Sequence, residues 1–196
     1  MATYHGILAM SQALKGLLEA ALVTPEFTGA EVAIYRPEDF DTPMAFGISI
    51  HLYRVTNTAG IINRPSRVTP DGRRHFPSLL LDLHYLITPW APTAEKQHAL
   101  LGWAMRVMDD CPTVSSGVLN LPLSTEGTFG PAEAVQVIFE PLALIDFSYI
   151  WESFKPNVQL SVGYIARMVA LDSLVSVVDG ALVQTRSFSV GEAIAQ

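Results

Sequence analysis

Residues 76–90, FPSLLLDLHYLITPW, are the part of this chain least free to fold in more than one way. Read as a strand, Leu79, Leu81, Leu83, Tyr85 and Ile87 share one face, and Leu80, Asp82, His84, Leu86 and Thr88 share the other. The first face is apolar apart from one phenol. The second still carries two leucines, so both faces are expected to be covered, as in the middle of a sheet. Pro77 and Pro89 stand at the ends, where missing ladder donors matter least. Asp82 and His84 interrupt the apolar run and are the first candidates for chemistry.

Around this strand the pattern alternates between helical and extended periods. Ile7, Met10, Leu14, Leu17, Leu18 and Leu22 recur at helical spacing over 4–23. A short strand is expected at 31–35 and a longer one at 46–55, with Phe46, Ile48, Ile50 and Leu52 facing one way and Ser49, His51 and Tyr53 the other. A second helix is expected over 94–110, capped by Thr93 and ended by Pro112, with Asp109 and Asp110 opposing its dipole unless they cap the next short helix. Residues 113–123 hold a short helical turn and 124–131 a loop. Residues 133–139 alternate as a strand. Asp146 is placed to cap a helix over 147–154 that buries Tyr149, Ile150 and Trp151. Residues 160–171 read as a long strand, with Val162, Tyr164, Ala166 and Met168 on one face. A strand at 174–178 and a return through 181–185 would make a closing hairpin around Asp179-Gly180.

The chain's 196 residues suit one sizeable core, and its formal charge of -7 argues against nucleic acid as the main partner. Against that acidic background, 57–75 is a basic excursion carrying Arg64, Arg67, Arg73 and Arg74, either a solvated hairpin loop or a contact surface. Cys111 is the single cysteine, so no intrachain disulfide or thiolate cluster can form. The first residues lack a basic stretch followed by an unbroken apolar one, and no run is long and apolar enough for a bilayer; a soluble protein made in the cytoplasm is expected.

Asp82 and His84, with His51 facing them, could form a carboxylate-oriented histidine. No serine stands in a G-x-S-x-G elbow, and the two aspartates beside Cys111 disfavour a thiolate. Nothing matches H-E-x-x-H, a calcium loop, a Walker loop or G-x-G-x-x-G. Catalytic, cofactor and metal residues are therefore all expected to be absent, and Asp82 and His84 to form a satisfied polar pair.

Four segments together have a family likeness. They are Leu52-Tyr53-Arg54-Val55 with Asn57 and Asn63-Arg64-Pro65; Leu81 through Thr88; Leu101-Gly102 through Met108 with Pro112; and Leu160-Ser161-Val162 with Tyr164 and Arg167-Met168-Val169. In that order they resemble the N-terminal domain of the tail terminator, or cap, family of phage-tail-like contractile injection systems. The resemblance implies an α/β fold, a mixed central sheet flanked by helices, over residues 1–173. It leaves 174–196 as an extension, hairpin or interface arm. It further implies a non-enzymatic homo-hexameric cap that ends the inner tube and meets the last sheath ring, in a particle assembled in the cytoplasm and open to release. Its partners would be the tube and sheath proteins, with no nucleic acid as main partner and no membrane. A monomeric adaptor at another sheath or baseplate junction is the alternative, and an enzyme using Asp82 and His84 a third class. The resemblance assigns no catalytic duty to Arg54, Asn63 or Arg64.

Overall fold

The computed structural model of the chain describes residues 4–58, 66–69, 72–121, 128–154 and 158–177. The elements run α1 (Gly6–Ala21), β1 (Glu31–Tyr35), β2 (Gly47–Asn57), β3 (Arg67–Val68), β4 (Arg74–His75), β5 (Leu79–Trp90), α2 (Ala94–Asp110), β6 (Thr113–Ser115), α3 (Ser116–Asn120), β7 (Ala134–Glu140), α4 (Leu144–Phe154) and β8 (Val162–Leu171). Six strands form one sheet in the order β1-β2-β5-β8-β7-β6, parallel between β1 and β2 and antiparallel elsewhere. The fold is the mixed α/β arrangement expected, with β5 in the middle between β2 and β8.

Both faces of β5 are covered from Leu83 to Trp90, whereas Leu79 at its start is exposed. Leu81, Leu83, Tyr85 and Ile87 enter the main core with Met10, Leu14 and Leu18 of α1 and Leu100, Ala104 and Met108 of α2. The one phenol on that face is satisfied, because Tyr85 Oη lies 3.0 Å from Ser11 Oγ. The opposite face carries a smaller, aromatic core of Phe40, Leu86, Trp90, Trp151 and Phe154. Phe40 arrives on a single 3₁₀ turn, Pro37–Phe40, and α4 supplies Trp151 and Phe154.

α2 keeps its expected bounds, and Thr93 Oγ1 accepts from the Lys96 amide at 3.4 Å. Asp109 and Asp110 do not cap the next helix. Arg106, three and four residues earlier, pairs with both and offsets their clash with the dipole. Other expectations are corrected. Residues 113–115 form a strand against β7, because Val114 is drawn into the core between Val135 and Leu119. α4 begins at Leu144, so Asp146 lies in its first turn rather than at the cap, and Tyr149 points outward at 62% exposure. Met168 leaves the face of Val162, Tyr164 and Ala166, for a reason given below.

The described residues of the basic excursion include one strand pair. β3 and β4 pair Arg67 with His75 and Val68 with Arg74. The chain after β8 lies beside this hairpin: His75 bridges Ser176, Phe76 N donates to Val175 O at 3.1 Å, and Val177 N donates to Arg74 O at 2.7 Å. Asn63, Arg64 and Pro65 lie outside the described residues, as does the expected hairpin return beyond Val177.

Candidate functional site

Two β-bulges shape the second face of the sheet. In β2, Leu52 pairs with Tyr85 and Arg54 with His84, so Tyr53 is an extra residue with no partner of its own on β5. The insertion sends Arg54 and Thr56 to the side where His84 stands. In β8, Leu83 pairs with Ala166 and Leu81 with Val169, so Arg167 and Met168 both oppose Asp82. This second bulge reverses the alternation. Val169 turns into the core, while Met168 turns out at 50% exposure with a φ of 58°. That left-handed conformation is unusual for any residue but glycine.

Asp82 is the reason the second bulge holds. Its Oδ1 accepts the Met168 amide at 2.8 Å, replacing the ladder bond that the extra residue interrupts. His84 does something else. Its Nδ1 lies 2.9 and 3.0 Å from the two Glu140 oxygens, and Thr56 Oγ1 lies 3.0 Å from Nε2. A carboxylate only accepts, so Nδ1 carries a proton and donates. Tyr53 donates to Glu140 Oε2 at 2.8 Å, and Arg54 Nη2 lies 3.8 Å from Oε1. Burial, and then that hydrogen bond to Glu140, push the Tyr53 phenol well above its ordinary value.

Gly163 on β8 makes room for this arrangement. A Cβ there would lie 2.9 Å from the Glu140 carbonyl oxygen and 3.1 Å from Leu142 Cγ. Without it, the end of β7 and the lead into α4 close directly over β8, and Glu140 reaches His84.

The residues marked by sequence are thus separated by role. Asp82 and His84 share a face of β5 but hold different partners. His51, opposite Leu86, sits with Phe40 and Phe154, its Nδ1 2.8 Å from the Tyr35 carbonyl. Burial pushes the His51 pKa down, against the opposing pull of that carbonyl and of Asp39. Cys111 follows α2 as its C-terminal cap. The sequence reading missed Glu140, which showed only as the residue between the strand at 133–139 and Pro141.

Thr56, His84 and Glu140 have the connectivity of a hydroxyl–base–carboxylate relay. A cleft of about 340 Å³ adjoins it, walled by Tyr53, Arg54, Glu140, Leu142, Asp146 and Tyr149. Neither Thr56 nor His84 lines that cleft, and His84 is 4% exposed, so a substrate there would not meet the hydroxyl. The network is a polar brace joining β2, β5 and β7. Among the described residues no group of three or more His, Cys, Asp or Glu side chains could hold a metal ion, and no helix is long and apolar enough to cross a membrane.

The Pvc16 N-terminal domain profile matches residues 9–185. The chain belongs to that family. The match takes in both bulges, the brace and the whole sheet. No curated protein sequence matches the chain. Among solved structures, the fold is similar to the sheath/tube terminator of an extracellular contractile injection system, PVC, in its extended state. That likeness has a TM-score of 0.57 at 18% identity, over 97% of this chain and 63% of the other. It is also similar to the anti-feeding prophage cap, the AFP tube terminating cap, with a TM-score of 0.53 at 15% identity, over 94% of this chain and 60% of that one. This Pvc16-type chain therefore spans less than two thirds of the length of either.

Proposed function

We propose that this chain is a structural cap that terminates the inner tube of a contractile injection system and couples that end to the last sheath ring, without enzymatic turnover. The observation that carries the reading is the family match over 9–185, in a chain whose fold also resembles a sheath/tube terminator and a tube-terminating cap. The site chemistry agrees: its polar groups are committed to each other and hold strands together. In the particle, six copies form a closed ring, since closed symmetry reuses one interface and leaves no growing end. Tube and sheath proteins are the partners, and assembly takes place in the cytoplasm before any release. Residues 1–173 supply the terminator domain and 174–196 an extension of it.

Electron microscopy of particles from a deletion strain and its complemented counterpart tests this. Without the protein, tubes of uncontrolled length or frayed sheath ends are expected, restored on complementation. Normal length, an ordered sheath and an intact terminal cap in the deletion strain would reject the terminator role. Finding the protein at the baseplate would favour the monomeric adaptor.

A further inference from the structure

We infer that the cleft between α2 and the outer strands β7 and β8 receives an aromatic side chain of a protein partner in the particle, with a neutral hydrogen-bond acceptor on or beside its ring. The inference rests on the cap reading above and names the chemistry of one of its contacts.

The cleft has a volume of about 560 Å³ and is walled by Gly102, Met105 and Met108 of α2, Val137 and Phe139 of β7, and Tyr164 of β8. Tyr164 is the buried polar group among these walls. It is 5% exposed, and its hydroxyl has no hydrogen-bond partner among the described residues. The other covered phenols are all satisfied within the fold: Tyr85 by Ser11, Tyr53 by Glu140 and Tyr35 by the Met44 amide. Burial, and then the charge of Asp109, raise the Tyr164 phenol above its ordinary value, so it keeps its proton and is a donor. A nearly buried donor left without an acceptor is costly, and here an occupant of the cleft supplies the acceptor.

Gly102 is the second sign. A glycine inside a helix weakens it. Its backbone is not left-handed, and nothing lies within 4 Å of where its Cβ would stand, so the fold itself does not require glycine there. The missing side chain instead leaves the helical wall of the cleft open to close approach by another chain. The remaining walls select a ring. Phe139 stands edge-on to Tyr164, with centroids 5.8 Å apart, and is 49% exposed. Apolar surface thus continues outside the cleft, where a protein partner covers it and a small ligand does not. Met105 and Met108 offer thioethers, which adapt well to an aromatic ring. At the mouth, Arg106 is shared between Asp109 and Asp110. One guanidinium against two carboxylates disfavours an anionic occupant, so a carbonyl or hydroxyl oxygen, rather than a carboxylate, is the acceptor that fits.

Two substitutions separate this role from a structural one. Gly102→Leu places a side chain where nothing is crowded, so its Tm should match or exceed the parent's, while the share of particle ends carrying the protein falls about ten-fold or more. Gly102→Ala leaves the room and should cap like the parent. Tyr164→Phe removes a hydroxyl with no internal partner, so it should keep the parent's Tm and lower that share several-fold. Folded Gly102→Leu and Tyr164→Phe proteins that cap like the parent would overturn the inference. The occupant is read by replacing Phe139 with p-benzoylphenylalanine and irradiating assembled particles. An adduct with a tube or sheath peptide containing Phe, Tyr or Trp is expected. An adduct only with a second copy of this chain, or none with the protein in place, would overturn the assignment. Absence of the parent protein from particle ends would instead count against the proposed function.

Discussion

Asp82 shows how one side chain can set the course of a strand. The Met168 conformation costs roughly 1–2 kcal/mol for a non-glycine residue, and a hydrogen bond donated by a backbone amide to a carboxylate contributes about 1.5–3 kcal/mol. The hydrogen bond is of a size to offset that cost, so the bulge is held where it is. Asp82→Ala should lower unfolding free energy by about 1–3 kcal/mol in denaturant titrations. Met168→Gly should raise it by up to about 1 kcal/mol, the relieved strain being partly cancelled by glycine's extra freedom in the unfolded chain. A stabilised Asp82→Ala protein would mean that the ladder does not need the carboxylate. The sequence reading had paired Asp82 with His84 because they stand two apart, and nothing in that spacing reveals a bulge on a strand 86 residues away.

Among elements, the packing of α4 and the Pro37–Phe40 turn onto the sheet has a pH signature. His51 lies between Phe40 and Phe154, and burial lowers its pKa in the folded protein from the ordinary 6.5. The unfolded chain therefore binds the proton more readily. The contribution of His51 is complete above that ordinary value and declines as pH falls from it toward the lowered folded value. Thermal unfolding between pH 7.5 and pH 5.5 should show a falling Tm, and His51→Phe should flatten that fall. An equal slope in the two proteins would show that His51 is not the group responsible. α4 itself was half legible. Its helical period could be read, but its buried side could not, because Tyr149 and Trp151 look equally apolar until the position of Phe40 is known.

For the molecule as a whole, Arg67 of the basic excursion acts as a tether. Arg67 pairs with Asp172, whose side chain is 5% exposed and also accepts from Ser78 Oγ at 2.5 Å. The hairpin and the chain after β8 are thereby held to the end of β5. Arg67→Glu would set two carboxylates against each other at a nearly buried position, a loss of up to about 3–5 kcal/mol. Lower stability and faster amide exchange over 172–177 are the expected readouts, with Arg67→Lys restoring part of both. Unchanged exchange in a folded Arg67→Glu protein would leave Arg67 available for the contact surface that its charge first suggested.

The chain's own pattern was sufficient for the central strand, α1, α2 and the family likeness. Continuous apolar faces and proline or threonine boundaries are local signals that few folds can satisfy. It did not reveal β6, the two bulges, the brace of Tyr53, His84 and Glu140, or the direction of Tyr149. Each of these depends on which strand lies beside which. A strand of three residues has too few side chains to show a period, and an inserted residue leaves no mark until a partner exposes the mismatch. Glu140 meets His84 because β8 lies between their strands with a glycine at Gly163, an arrangement set by the sheet order β5-β8-β7.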